Sequence, residues 1–184
     1  MGKTSPSVGV VGCAAGGLQS LRSGLVEPLI EHGCTASVVL TPAAHAWLLE
    51  CDEIKELENA TGLPVRSTPR LPNDESPHPP VDAFVVAPAT ANPVAKLALG
   101  IADNQALTVL CENVGTTSMV VFPRINAAHA RQPAWNGHLE LLRAAGVRLI
   151  YGDAVWPLYE PRTAPPVRDL PWRAILEAAL ALTR

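Results

Sequence analysis

The sequence has no CxxC pair, no basic surplus and no long apolar run, and each absence removes a class of function. Its four cysteines, Cys13, Cys34, Cys51 and Cys111, are widely spaced. They suggest neither a zinc site nor a disulfide framework, and fit a reduced, cytoplasmic protein without a metal. Lys and Arg number 14 against 17 Asp and Glu, for a net charge of -3, so nothing is left over to neutralise a nucleic acid or an anionic membrane. Residues 1–7 carry one lysine and no apolar stretch, and no run approaches the roughly 18 apolar residues of a membrane span. Neither export nor insertion is expected. What the chain does have is 48% hydrophobic content over 184 residues, enough for a well-buried core in one domain spanning 1–184.

Apolar runs and helical patterns alternate along the chain. Residues 8–11 form a β-branched run closed by Gly12; after a small-residue stretch a helical pattern covers 18–32, with Gly33 as its C-cap. Residues 36–40 are continuously apolar, as in a strand covered on both faces. Thr41-Pro42 ends that strand and opens a helix over 43–60. Six prolines between 62 and 80 exclude regular helix or central strand, so this is a surface excursion. A third buried strand at 81–87 leads through a loop at 88–92 into a helix over 93–99, with Pro93 as its first residue. Strands are expected at 106–111, 119–122 and 147–150, and helices at 135–145 and 171–182, with a second proline-rich loop at 156–171. Such alternation means βαβ units: an α/β fold with a central parallel sheet and helices on both faces.

In such a sheet ligands bind at the carboxyl ends of the strands, where a glycine-rich first turn can approach a phosphate. Gly12-Cys13-Ala14-Ala15-Gly16-Gly17 lies there, but it is neither G-x-G-x-x-G nor a P-loop. The second strand ends in Leu40-Thr41, without the acidic residue that would meet a dinucleotide ribose. That weakens NAD and favours a monophosphate such as FMN, to which Thr41 can offer its hydroxyl. The glycines serve equally well if they only let helix pack closely on strand.

Residues 85–92 read Val-Val-Ala-Pro-Ala-Thr-Ala-Asn, and the pattern continues through Lys96 to Gly-Ile-Ala-Asp-Asn at 100–104. With the first loop and the strand order, the chain from 8 to 150 resembles the homo-oligomeric flavin-containing cysteine decarboxylases. That family includes phosphopantothenoylcysteine decarboxylase and the peptidyl-cysteine decarboxylases of lantibiotic and related peptides. Its Pro-Ala-Ser-Ala-Asn-Thr signature has Thr90 for serine and Pro93 for threonine here. The resemblance implies a Rossmann-like, flavodoxin-like three-layer sandwich and FMN held by Gly12, Cys13, Ala14, Thr41, Pro88, Ala89, Thr90 and Asn92. Read as residues, Ala89 and Ala91 leave room for a planar ring while Thr90 and Asn92 supply hydrogen-bonding groups. Asn92 taken alone reads as a helix cap.

The family's second signature, Pro-x-Met-Asn-x-x-Met-Trp, falls on residues 123–130, where only Pro123 and Asn126 match. By resemblance Asn126, with Asn92, holds the substrate carboxylate. The family's base is a histidine before the third strand; here that is His78, about four residues closer to Asp82 than the pattern places it, with a solvated loop residue as its alternative. His45, at the start of the second helix, can face a phosphate or water. Where phosphopantothenoylcysteine decarboxylases carry a protonating cysteine, this chain reads Tyr151-Gly152-Asp153. The implied reaction therefore stops at an enethiol, as in the peptide enzymes. Residues 153–167 fall at the family's substrate clamp, where Trp156, Tyr159 and Arg162 can cover a peptide or form an oligomer contact. The resemblance thus implies a homo-oligomer, a trimer or dodecamer with FMN near a subunit boundary, acting on a peptide or small thiol. The readings beside it are a phosphopantothenoylcysteine decarboxylase and a non-catalytic flavin-binding protein of the same fold.

Overall fold

A computed structural model describes residues 5–163 and 168–183. Its β-branched and alanine-rich runs pair as β1 (Ser7–Gly12), β2 (Thr35–Leu40), β3 (Ala83–Ala89), β4 (Ser118–Pro123) and β5 (Arg148–Leu149). All neighbours are parallel, in the order β2-β1-β3-β4-β5. This is the flavodoxin-like order, in which the winding reverses between β1 and β3. Side chains alternate between two buried layers. Val10, Val38, Val85 and Phe122 face the first helix and the C-terminal helix; Val11, Val39, Val86 and Val121 face the helices of the other layer. The sequence expectation of a three-layer α/β sandwich holds.

The helices are α1 (Glu27–Glu31), α2 (Pro42–Leu49), α3 (Glu53–Thr61), α4 (Ala91–Ala98), α5 (Gln105–Asn113), α6 (Ala127–Ala130), α7 (Trp135–Ala144) and α8 (Trp172–Leu182). Three depart from the sequence pattern. The segment at 106–111, expected as a strand, is helix α5: the Asn104 side chain accepts the Leu107 N–H at 3.1 Å, and buried Ala106, Leu107 and Leu110 follow helical spacing. The helix expected over 43–60 is two, broken where Asp52 adopts a left-handed φ of 58°. The first helix starts as a 3-10 turn (Leu18–Ser20), widens into a π segment (Arg22–Val26) and becomes regular only in α1. Pro28, which has no N–H to donate, lies at that last junction, and Gly24 lets the Trp172 indole lie against the backbone.

The proline-rich excursion closes the sheet's open edge. Arg66 donates its N–H to Val38 at 3.0 Å and accepts from Leu40 at 2.7 Å, a single parallel bridge outside β2. No helix among the described residues is long and apolar enough to cross a membrane.

Candidate functional site

The carboxyl ends of β1, β3 and β4 meet at the switch point and are tied by backbone hydrogen bonds. The Cys13 N–H donates to the Pro88 carbonyl at 3.0 Å, Thr41 to Gly12 at 3.0 Å, and Arg124 to Ala89 at 2.7 Å. The loop expected at 88–92 is shorter than its sequence suggests, because β3 runs to Ala89 and α4 starts at Ala91. Thr90 stands between them as an extended N-cap whose side chain makes no cap bond. Asn92, expected alternatively as a cap, lies inside the helix and exposed. Neither side chain has a hydrogen-bond partner among the described residues, so both polar groups stand available at the edge of the sheet. Ala89 is fully buried beneath them.

The first loop divides its labour. A Cβ on Gly12 would come within 2.8 Å of Leu40 and 3.1 Å of Leu18, so this glycine serves helix-on-strand packing. Cys13, expected as a cofactor contact, has its N–H spent on Pro88 and its thiol buried, which pushes its pKa up to about 12 although the Thr90 backbone opposes the shift. Cys13 ties the two loops together. The N–H groups of Ala14, Gly16 and Gly17 have no acceptor among the described residues. Thr41 is buried and accepts from the Ala44 N–H at 3.4 Å, which leaves its hydroxyl proton to donate.

Beyond β4, Asn126 caps α6 by accepting the His129 N–H at 3.0 Å, and its amide N–H groups have no partner among the described residues. Over this loop lies the segment expected as a substrate clamp. The Ala127 N–H donates to the Tyr159 carbonyl at 2.9 Å, and Arg131 pairs with Glu160. Tyr151 accepts from the Trp135 indole N–H at 3.1 Å. One of the three clamp residues departs from expectation. Trp156 is buried, edge-on to Phe122, and forms a floor rather than a cover; Arg162 is exposed with a left-handed φ of 65°. Residues 164–167 of the clamp lie outside the described residues.

A family model described as Flavoprotein matches residues 3–170. The chain belongs to the flavoprotein family. It is similar to the coenzyme A biosynthesis bifunctional protein CoaBC of Bacillus subtilis, 27% identical over 137 residues, 73% of this chain and 33% of that protein. This flavoprotein thus spans about a third of the length of the relatives it matches. Two solved structures share its fold. One is the FMN-dependent cysteine decarboxylase TvaF from thioviridamide biosynthesis, with TM-score 0.69 and 24% identity over 97% of this chain and 98% of that one. The other is the peptidyl-cysteine decarboxylase EpiD, with TM-score 0.67 and 18% identity over 96% and 99%.

Within one copy of this flavoprotein, His78 and Asn126 do not meet. His78 shares a cleft with Ser37, Val81 and Phe84, beside the start of β3. Phe84 pairs with Met119, and the strand from there to Pro123 rises roughly 13 Å before the chain reaches Asn126. His78 is nonetheless more than a solvated loop residue. Its Nε2 lies 2.7 Å from the Pro64 carbonyl, which can only accept, so Nε2 carries the proton and Nδ1 keeps its lone pair. Burial lowers its pKa, against the Pro64 contact and helped by Arg66, which favours the neutral ring. His45 lines a cleft with Val65, Arg66 and Asp74.

The sequence reading missed Arg124 and Arg168. Their guanidinium carbons lie 4.6 and 3.5 Å from the centre of the Trp156 ring. Arg124 occupies the variable place of the eroded second signature, which was the one available sign; Arg168 lies in the proline-rich tail, where no spacing rule selects it.

Proposed function

We propose that this flavoprotein is an FMN-dependent enzyme that oxidatively decarboxylates the C-terminal cysteine of a peptide to an aminoenethiol, acting as a cytoplasmic homo-oligomer. The observation that carries the reading is that Ala89, Thr90 and Asn92 stand at the switch point of a flavodoxin-order sheet, with Thr41 and Asn126 following β2 and β4 along the same carboxyl edge. The residues fit FMN: Thr90 and Asn92 have polar groups without partners among the described residues, and the first-loop amides and the Thr41 hydroxyl can donate to a phosphate. When bound, FMN supplies a two-electron acceptor for the thiol. The chain's own groups then position the substrate. Asn126 presents amide N–H donors to the carboxylate, and a neutral His78 takes the thiol proton through Nδ1. The cysteine side chain is oxidised to a thioaldehyde, which loses carbon dioxide and becomes an enethiol.

With His78 as the base, its separation from Asn126 within one chain calls for a second copy to supply it, which favours a homo-oligomer such as a trimer or dodecamer. The names of the similar structures favour a cysteine-ended substrate. The kinship with CoaBC favours phosphopantothenoylcysteine as the second candidate, against which stands Tyr151-Gly152-Asp153, with no cysteine to reduce the enethiol. The test is to load the purified chain with FMN and incubate it with peptides ending in cysteine and with phosphopantothenoylcysteine. A peptide product lighter by carbon dioxide and two hydrogens supports the proposal. Protein that stays colourless with added FMN refutes it at its first step, and flavin that binds but is never bleached by any thiol leaves only a binding protein.

A further inference from the structure

Three arginines are matched to carboxylates, Arg22 to Glu27 and Glu53, Arg131 to Glu160 and Arg173 to Glu177, while Arg66, Arg70, Arg143, Arg148 and Arg162 form no ion pair among the described residues and do not stack on an aromatic ring. Arg124 and Arg168 are likewise unmatched, but they do stack. Among the described residues neither forms an ion pair; Arg168 donates to the Pro157 carbonyl at 2.6 Å, and the Nε of each is shielded from water without an acceptor. Asp169 follows in the chain but is exposed and unpaired with either. Both guanidinium groups lie against the ring of Trp156, itself pinned edge-on by Phe122 at a centroid distance of 6.0 Å. Stacking of this kind holds the planar forks in a fixed attitude. Burial and the neighbouring charge of Arg168 both disfavour the charged form of Arg124, so the fold bears a cost that a bound anion would relieve. The pair also lies beside the first loop, for a Cβ on Gly16 would be 3.9 Å from a terminal nitrogen of Arg124. Gly16 is one of the residues whose N–H lacks an acceptor.

We propose that Arg124 and Arg168, carried on Trp156, form an oxyanion-binding site beside the first loop, taking a phosphate monoester or a carboxylate through charge-assisted hydrogen bonds. Two ligands of the proposed reaction carry such a group, the FMN phosphate and the carboxylate of a cysteine-ended peptide. To that extent the site rests on the reading above.

The test uses the full chain as wild type, Arg124→Gln, Arg168→Gln and the charge-keeping Arg124→Lys and Arg168→Lys. Affinities for FMN and for riboflavin, which lacks the phosphate, are read by flavin fluorescence at low and high salt. Affinities of FMN-loaded protein for a cysteine-ended peptide acid and its amide are read by calorimetry. Loss of one charged donor is expected to weaken the anionic ligand by about 10- to 100-fold, with the lysine variants in between and the salt dependence reduced. If FMN weakens and riboflavin does not, the site holds the phosphate; if the peptide acid weakens and its amide does not, it holds the carboxylate. Should all four ligands bind every folded variant as they bind wild type, the proposal is overturned. Were a glutamine variant to misfold, the lysine pair and the salt dependence decide alone. Wild type that binds no flavin refutes the flavin reading; the site is then judged by whether inorganic phosphate raises the Tm of wild type but not of the variants, and equal shifts overturn it.

Discussion

If His78 and Asn126 act on one substrate from two different copies, two inactive variants should restore one another. His78→Gln and Asn126→Ala each remove one partner, and each alone should lower turnover by 100-fold or more, in the range of about 10²–10⁴ for a lost proton-transfer group. In an oligomer assembled at random from equal amounts of the two, a site is intact when its own chain is the His78→Gln copy and the neighbouring chain is the Asn126→Ala copy. That combines two even chances, so about a quarter of wild-type activity should return in the unselected mixture, and about a third in trimers selected to contain both variants, if subunits meet through one repeated interface. The rise from the Phe84–Met119 level to Pro123 is what forbids the alternative, because both groups on one chain could never regain a complete site by mixing. The assay is co-expression with two affinity tags, tandem purification, FMN loading and carbon dioxide release from a cysteine-ended peptide. Activity no higher than the single variants would refute the shared site, and so would wild-type activity retained by a strictly monomeric preparation.

His78 also links to stability. Burial lowers its folded pKa below the ordinary 6.5, so its contribution is complete above that value and is lost as the pH falls from 6.5 through the folded value; denaturant midpoints between pH 5 and 8 should show this slope in wild type and a flatter one in His78→Gln. Cys13, with its thiol buried and pushed up to about 12, should resist iodoacetamide in the fold while exposed Cys51 reacts, as peptide mass mapping would show; rapid labelling of Cys13 would contradict its burial. Gly9→Ala would place a methyl 2.5 Å from the Phe84 ring, which is only 2% exposed, and urea unfolding should register a loss of about 1–3 kcal/mol.

Strands buried on both faces were legible because apolar residues dominate them, with Ser7 and Ser37 as buried polar exceptions. A similar pattern misled at α5, where Ala106, Leu107, Val109, Leu110 and Cys111 read as an apolar run broken only by Thr108. There the decisive signal was one position outside it, the Asn104 cap. The split of the second helix at Asp52 carries no composition signal, since any polar residue could have continued the helix. The excursion at 62–80 was correctly read as irregular, yet its bridge to β2 rests on a single backbone contact that no pattern announces.

The site was legible in proportion to how local its geometry is. Residues 88–92 stood out because a strand end, small residues and polar groups fall within five positions, and the structure places them at the switch point. The later part of the same resemblance proves architectural: Lys96 pairs with Asp103, and Asn104 caps α5, so a family pattern can persist where it holds the scaffold rather than the ligand. Cys13 makes the same point from within the first loop, since its bond to Pro88 sets the distance between the two loops that would grip a flavin. Arg124 and Arg168 stood 44 positions apart in segments with no periodicity, and only a shared indole makes them a pair. A charge acquires chemical meaning from what fails to neutralise it, and that failure is invisible until the chain is folded.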